Sequence, residues 1–217
     1  EGKLAWGVVC DGMGGAKAGD VASKMAVEAF CTQMDQLGDL EGPPPAEALL
    51  RTATEDANRV VYLKAQTDAD CIGMGTTLVC LLAQGMDAIV GNIGDSRAYL
   101  IDEEGMRQVT HDHSLVAEMV RRGELSSREA SRHPNKNVIT RALGVESNVS
   151  CDVFPLSLKK GQYVLLCSDG LTNEVSEPEI YYEVFQSQAP ERACDTLIEI
   201  ARSRGGHDNI TVVLASF

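Results

Sequence analysis

Between Thr76 and Thr110 the chain reads as four short strands with almost nothing between them, and this run does most to limit the fold. Thr76 to Ala83 and Ala88 to Ile93 meet at Gln84-Gly85, while Ala98 to Ile101 and Met106 to Thr110 flank an Asp102-Glu-Glu-Gly105 turn. Links this short leave no room for crossover helices, so the sheets must be mainly antiparallel. Further strands are expected at Leu4 to Cys10, Val149 to Phe154, Tyr163 to Cys167 and Ile210 to Ala215. Helical spacing comes in separate blocks. Val21, Ala22, Met25, Ala26, Ala29 and Phe30 predict one helix with Asp20 as its N-cap. After a break at Gly42-Pro-Pro-Pro45, Leu49, Leu50, Ala53, Ala57, Val60 and Val61 predict a second. A Ser176…Glu179 capping box with Pro178 opens a third, and a fourth runs from Pro190 to Arg204 and stops at Gly205-Gly206. Helices that come in pairs, and not after every strand, predict an α+β fold of packed layers and exclude a doubly wound parallel sheet. Residues 111–148 are more polar. A short helix around Leu115, Val116, Met119 and Val120 and a helical turn at Ser126…Glu129 are expected there, inside a single domain spanning 1–217.

Charge and composition narrow the function. Nineteen Lys and Arg against 32 Asp and Glu give a net charge of −13, which repels nucleic-acid phosphates. The longest apolar run, Leu78 to Ala83, falls far short of the ~18 residues that span a bilayer, and no basic-then-apolar segment opens the chain. Seven cysteines, at 10, 31, 71, 80, 151, 167 and 194, include no C-x-x-C pair, and none has a basic neighbourhood that would activate a thiolate. Together these predict a cytoplasmic protein without a cysteine nucleophile.

Four aspartates share one local setting. Asp11-Gly12 follows the first strand, Asp95 follows Gly94 after the Ile89–Ile93 strand, Asp169-Gly170 follows Val164–Ser168, and Asp208-Asn209 precedes the last strand. Asp-Gly is ordinary turn chemistry, but a hairpin turn is followed by a strand, and here Asp11-Gly12 and Asp169-Gly170 lead into helices. If three such carboxylates converge, they require a cation. Two unit charges ~4 Å apart repel by roughly 4 kcal/mol at an effective dielectric of ~20. Oxygen-only ligands select hard divalent ions, Mg²⁺ or Mn²⁺. Of the four histidines only His207 neighbours an acidic junction, and it reads as a loop residue beside the site. Two glycine-motif readings fail. Gly12-x-Gly14 lacks the following strand with its acid that dinucleotide binding needs, and Lys17 is followed by Ala18-Gly19 where a P-loop needs Ser or Thr.

Asp11-Gly-Met-Gly-Gly15, Gly75-Thr-Thr77, Gly94-Asp-Ser-Arg97, Ser168-Asp-Gly-Leu-Thr172 and Asp208-Asn-Ile-Thr211 occur in the order that resembles the metal-dependent protein phosphatase 2C family. His133-Pro and Asn137-Val-Ile-Thr-Arg-Ala-Leu-Gly144 are similar to the flap segment of its bacterial branch, which would make 111–148 a flap insertion. The resemblance implies a four-layer α/β/β/α sandwich with a metal site at one edge. It implies that Asp11 bridges two Mn²⁺ or Mg²⁺ ions, that the Gly12 carbonyl reaches one, that Asp169 and Asp208 hold the other, and that Asp95 helps bind a third, weaker ion. Asn173, four residues after Asp169, would weaken that third site. The implied activity is hydrolysis of phosphoserine and phosphothreonine in proteins by a water shared between two cations. A serine/threonine kinase is the implied counterpart, and the chain is expected to be monomeric.

Two departures from the family pattern stand out. Met13 occupies the place where animal relatives carry a histidine proposed as the acid for the leaving alkoxide. The family also begins with an extra strand bearing a phosphate-gripping arginine, whereas this sequence opens at Glu1, three residues before its first strand; we expect that strand to have been cut away. Its loss motivates an alternative: a catalytically weak metal-binding regulatory module of the same fold. Arg97 is expected to be an ion-pair partner, Arg141 a flap residue, and Trp6 core packing.

Overall fold

The computed structural model describes residues 4–37, 46–187 and 189–217. In chain order these form β1 (Leu4–Val9), β2 (Gly12–Met13), α1 (Ala16–Leu37), α2 (Ala46–Thr67), a 3-10 turn at Ala69–Cys71, β3 (Gly75–Thr76), β4 (Leu78–Gln84), β5 (Asp87–Ile93), β6 (Arg97–Asp102) and β7 (Gly105–Gln108). Then follow α3 (Leu115–Arg121), α4 (Ser127–Ala130), β8 (Asp152–Ser157), β9 (Tyr163–Cys167), α5 (Asp169–Thr172), α6 (Glu177–Gln186), α7 (Pro190–Ser203) and β10 (Val212–Ser216). One sheet has the order β1-β4-β5-β8, a second β10-β9-β6-β7, and β2 pairs with β3 in a short ribbon. Every described ladder is antiparallel, as the short links require.

Alternation along the central strands sorts side chains into layers. Val79, Leu81 and Ala83 of β4, Ala98 and Leu100 of β6, and Val164 and Leu166 of β9 fill the space between the sheets. The intervening Leu78, Cys80 and Leu82 of β4 turn the other way, onto Ala22, Ala26, Phe30, Leu50, Ala53, Ala57 and Val61 of α1 and α2. On the far side, Tyr99, Ile101, Leu165 and Cys167 meet Ile180, Val184, Leu197 and Ala201 of α6 and α7. The result is the α/β/β/α sandwich. Strands apolar on both faces explain why β4 and β9 read as unbroken apolar runs. Trp6 is partly buried against this core, with its ring 6.1 Å from that of Phe30, edge to face.

Several boundaries differ from expectation, each for a physical reason. The first helix begins at Ala16, so Asp20 lies in its second turn and is not its cap. A Cβ on Gly12 would fall 1.9 Å from the Gly19 carbonyl oxygen, and one on Gly19 would fall 2.8 Å from the Gly12 carbonyl carbon. Backbone packed on backbone thus offsets the poor helix propensity of Gly19. The Thr76–Ala83 strand divides into β3 and β4 because the Thr77 N–H turns away to donate to the Asp11 carbonyl at 2.8 Å. The Val149–Phe154 strand shifts to Asp152–Ser157, an edge position that tolerates Pro155. Both capping boxes form, with Glu129 accepting from the Ser126 N–H at 2.8 Å and Glu179 from the Ser176 N–H at 3.0 Å. The Gly42–Pro45 break and Glu1 to Lys3 lie outside the described residues.

Candidate metal centre

Strand register brings the four aspartates to one end of the sandwich. Val9 at the end of β1 faces Val79 near the start of β4, and Leu78 faces Ile93 at the end of β5. Asp11 and Asp95 therefore leave the first sheet along the same edge. In the second sheet, Cys167 at the end of β9 is flanked by Arg97, which starts β6, and by Val212, which starts β10. Asp169 and Asp208 thus emerge at its matching edge, and the turn through Gly94 to Ser96 joins the two.

Glycines let these segments close on one another. Gly94 has φ +103°, and a Cβ there would lie 2.7 Å from Thr77. A Cβ on Gly170 would lie 2.4 Å from the Asn209 carbonyl oxygen, so the turn after Asp169 rests directly on the turn after Asp208. The Ser168 hydroxyl donates to that same Asn209 oxygen at 2.9 Å and accepts from the Thr211 N–H at 3.0 Å. Thr77 fixes Asp11 from below: its Oγ1 accepts from the Asp11 N–H at 2.9 Å and shares a 2.7 Å hydrogen bond with Ser96 Oγ, while Thr76 Oγ1 donates to the Asp11 carbonyl at 2.9 Å. Asn173 Nδ2 donates to Asp169 Oδ2 at 3.0 Å, and Asp208 Oδ1 accepts from the Asn209 N–H at 2.8 Å.

Electrostatics registers the crowding. Burial pushes the Asp11 carboxyl up from its ordinary range, and the charges of Asp169, Asp208 and Asp95 push it further in the same direction. Asp95 is raised to about 7 by burial, then by Asp169 and Asp112. Among the described residues no three His, Cys, Asp or Glu side chains converge tightly enough to form a preformed cage. Asp11 and Asp169 are close enough to share a side-chain hydrogen bond, which raises Asp11 further. A purely oxygen donor set under mutual repulsion fits hard divalent cations and suits neither zinc nor copper.

The remaining residues singled out from sequence fall elsewhere. His207 is exposed and pairs with Glu174 through Nδ1 at 2.9 Å, outside the acid cluster. Arg97 is an ion-pair partner, donating through Nε and an Nη to Asp112 and through the other Nη to the Tyr99 hydroxyl. Arg141 binds Asp152 and the Ser150 carbonyl. Four polar residues that support the site drew no attention as such: Thr77, Ser96, His113 and Asp152. The Gly75-Thr-Thr77 and Gly94-Asp-Ser-Arg97 motifs contained Thr77 and Ser96, and no motif contained His113 or Asp152.

A carboxylate cluster at one edge of an α/β/β/α sandwich defines a protein built around hard cations. The chain belongs to the protein phosphatase 2C family, whose sequence model matches residues 1–202. It is 42% identical over 207 residues, 95% of this chain and 82% of the other, to the serine/threonine phosphatase Stp of Listeria innocua. Its fold matches the crystal structure of the serine/threonine phosphatase Stp1 from Staphylococcus aureus with a TM-score of 0.89, at 36% identity over 100% of this chain and 89% of that one. A TM-score of 0.85 at 32% identity, covering 100% and 91%, relates it to the catalytic domain of the serine/threonine protein phosphatase PstP in complex with two manganese ions.

Proposed function

We propose that residues 1–217 form one catalytic domain that hydrolyses phosphoserine and phosphothreonine esters in proteins, with 111–148 as a flap over the site. The observation that carries this reading is the convergence of Asp11, Asp95, Asp169 and Asp208, with Asp11 raised by burial and by the other three. Asp11, the Gly12 carbonyl, Asp169 and Asp208 would hold two Mn²⁺ or Mg²⁺ ions, and Asp95 would help hold a third, weaker one. Such ions supply a water that ionises near neutral pH and positive charge against the phosphoryl oxygens.

The chain's own groups fit this role. Burial pushes the Cys10, Cys80 and Cys167 thiols up and Cys151 up to about 12, which disfavours thiolate at these four positions. A cavity of about 570 Å³ runs beside the cluster, lined by Asp95, Asp169 and Asn173 and by Arg121, Lys136 and Asn137 of 111–148, with Lys136 Nζ 3.4 Å from Asn173 Oδ1. Carboxylates and basic residues lining one cavity suit a phosphorylated segment, with cations held at the carboxylates and ammonium and guanidinium groups close by. No helix among the described residues is long and apolar enough to cross a membrane. A cytoplasmic monomer working against a serine/threonine kinase completes the reading.

Phosphate release from phosphoserine and phosphothreonine peptides, measured with Mn²⁺ and again with chelator, tests it. Turnover that depends on the metal is expected. Manganese binding without turnover would leave instead the metal-binding regulatory module of the same fold.

A further inference from the structure

His113 is buried, lies outside the acid cluster, and has every polar group engaged. Its backbone N–H donates to the Gly94 carbonyl at 2.9 Å, and its carbonyl accepts from the Thr140 N–H at 2.8 Å. The Gly94 N–H donates to His113 Nδ1 at 3.0 Å, and Nε2 lies 3.0 Å from Asp152 Oδ2. A backbone N–H can only donate, so Nδ1 is the acceptor and Nε2 carries the proton toward Asp152. One residue therefore grips both polar groups of the glycine that precedes Asp95. It anchors that grip to the first sheet through Asp152, which also holds Arg141. The backbone of 111–148 returns at the same point, since Ser114 and Ile139 form an antiparallel bridge and Leu115 N–H donates to the Val138 carbonyl at 2.9 Å.

Gly94 needs such a grip. It has φ +103°, sits against Thr77 on one side, and its carbonyl takes a second, longer bond from Asn92 Nδ2 at 3.3 Å. The orientation of the peptide leading into Asp95 is set by these contacts. Without the Nδ1 acceptor the buried Gly94 N–H would be left unpaired, and the turn would reorient to satisfy it.

We propose that His113 is a positioning residue for the Asp95 cation site, acting through Gly94 to aim the Asp95 carboxylate and tying that aim to the base of the flap. The proposal rests on Asp95 being a cation ligand. Groups that orient metal ligands from behind typically cost about 10–100-fold in metal affinity when removed.

The two ring nitrogens can be tested separately. In His113→Asn the side-chain oxygen falls near the Nδ1 position and can still accept from Gly94. In His113→Gln the side chain reaches toward Asp152 and leaves Gly94 without its acceptor. Calorimetric titration of the metal-free chain with Mn²⁺ should show the weakest ion bound about 10–100-fold less tightly in His113→Gln. His113→Asn should bind it close to the parent affinity, and the tighter ions should bind alike in all three proteins. Melting temperatures in chelator separate a general loss of stability from this selective change. Equal affinities throughout, or an equal loss in both variants, would overturn the proposal. Asp95→Asn completes the test. Unchanged binding there removes Asp95 from the site and the proposal with it, whereas a loss there without one in His113→Gln overturns the His113 role alone.

Discussion

At the scale of single residues, repulsion among the acids makes predictions that activity alone would not reveal. Asp169→Asn or Asp208→Asn should abolish metal-dependent turnover, while the metal-free melting temperature stays level or rises because a repelling charge is gone. Retained turnover in both would refute the ligand assignment. The pH dependence has a definite sign. Burial and neighbouring charges raise Asp95 to about 7, above the ~3.9 of an unfolded aspartate. The folded chain therefore binds the proton more tightly, and this stabilisation is full below pH ~4 and is lost as pH rises towards 7. In chelator, Asp95→Asn should melt progressively higher than the parent between pH 4 and 7, and a difference independent of pH would contradict the shift. The acids themselves were legible because each sits at a strand end with a glycine within two residues, and because Asp11-Gly12 and Asp169-Gly170 lead toward helices where a hairpin turn would not. Thr77, His113 and Asp152 were not. The Thr77 hydroxyl works on an N–H 66 residues away, and His113 reaches across 39 to Asp152, so no local pattern marks them.

At the scale of elements, the close approaches that shape the site are backbone contacts, and a methyl group is enough to disturb them. Gly12→Ala would place a carbon 1.9 Å from the Gly19 carbonyl oxygen, pushing α1 off β2. Overpacking of this kind costs about 1–3 kcal/mol, roughly 2–4 °C in melting temperature per kcal/mol for a chain of this size. Gly170→Ala should instead separate the Asp169 and Asp208 turns, losing more turnover than thermal stability; parallel measurement of initial rates and melting curves distinguishes the two effects. Element boundaries follow the same logic. Asp20 reads as a cap from its residue type and the apolar spacing after it, yet α1 starts four residues earlier because Gly19 fits onto Gly12. Where local propensity and tertiary contact compete, the contact sets the boundary.

At the scale of the whole molecule, the site lies at the open edge of a sandwich whose three apolar clusters contain none of the four acids. Leu166, fully buried between the sheets, should cost about 2–5 kcal/mol when cut to alanine, with metal affinity little changed in calorimetry. Conversely, Mn²⁺ at about 100 times its dissociation constant should add about 2.7 kcal/mol of stability, and chelator should remove it without unfolding the chain, as read by melting temperature and far-ultraviolet dichroism. Loss of secondary structure in chelator would show that the fold needs the ion. By itself the amino-acid order pointed to antiparallel sheets in an α+β fold, because short links force antiparallel pairing and apolar periodicity marks helices and strands, and the family resemblance implied the four-layer arrangement. It also marked which acids lie at strand ends. Only the tertiary structure decided that those ends share one edge, through the register that sets Val9 against Val79 and Cys167 between Arg97 and Val212. Register depends on the fit of faces across strands far apart in the chain, and that fit exists only once both sheets have packed.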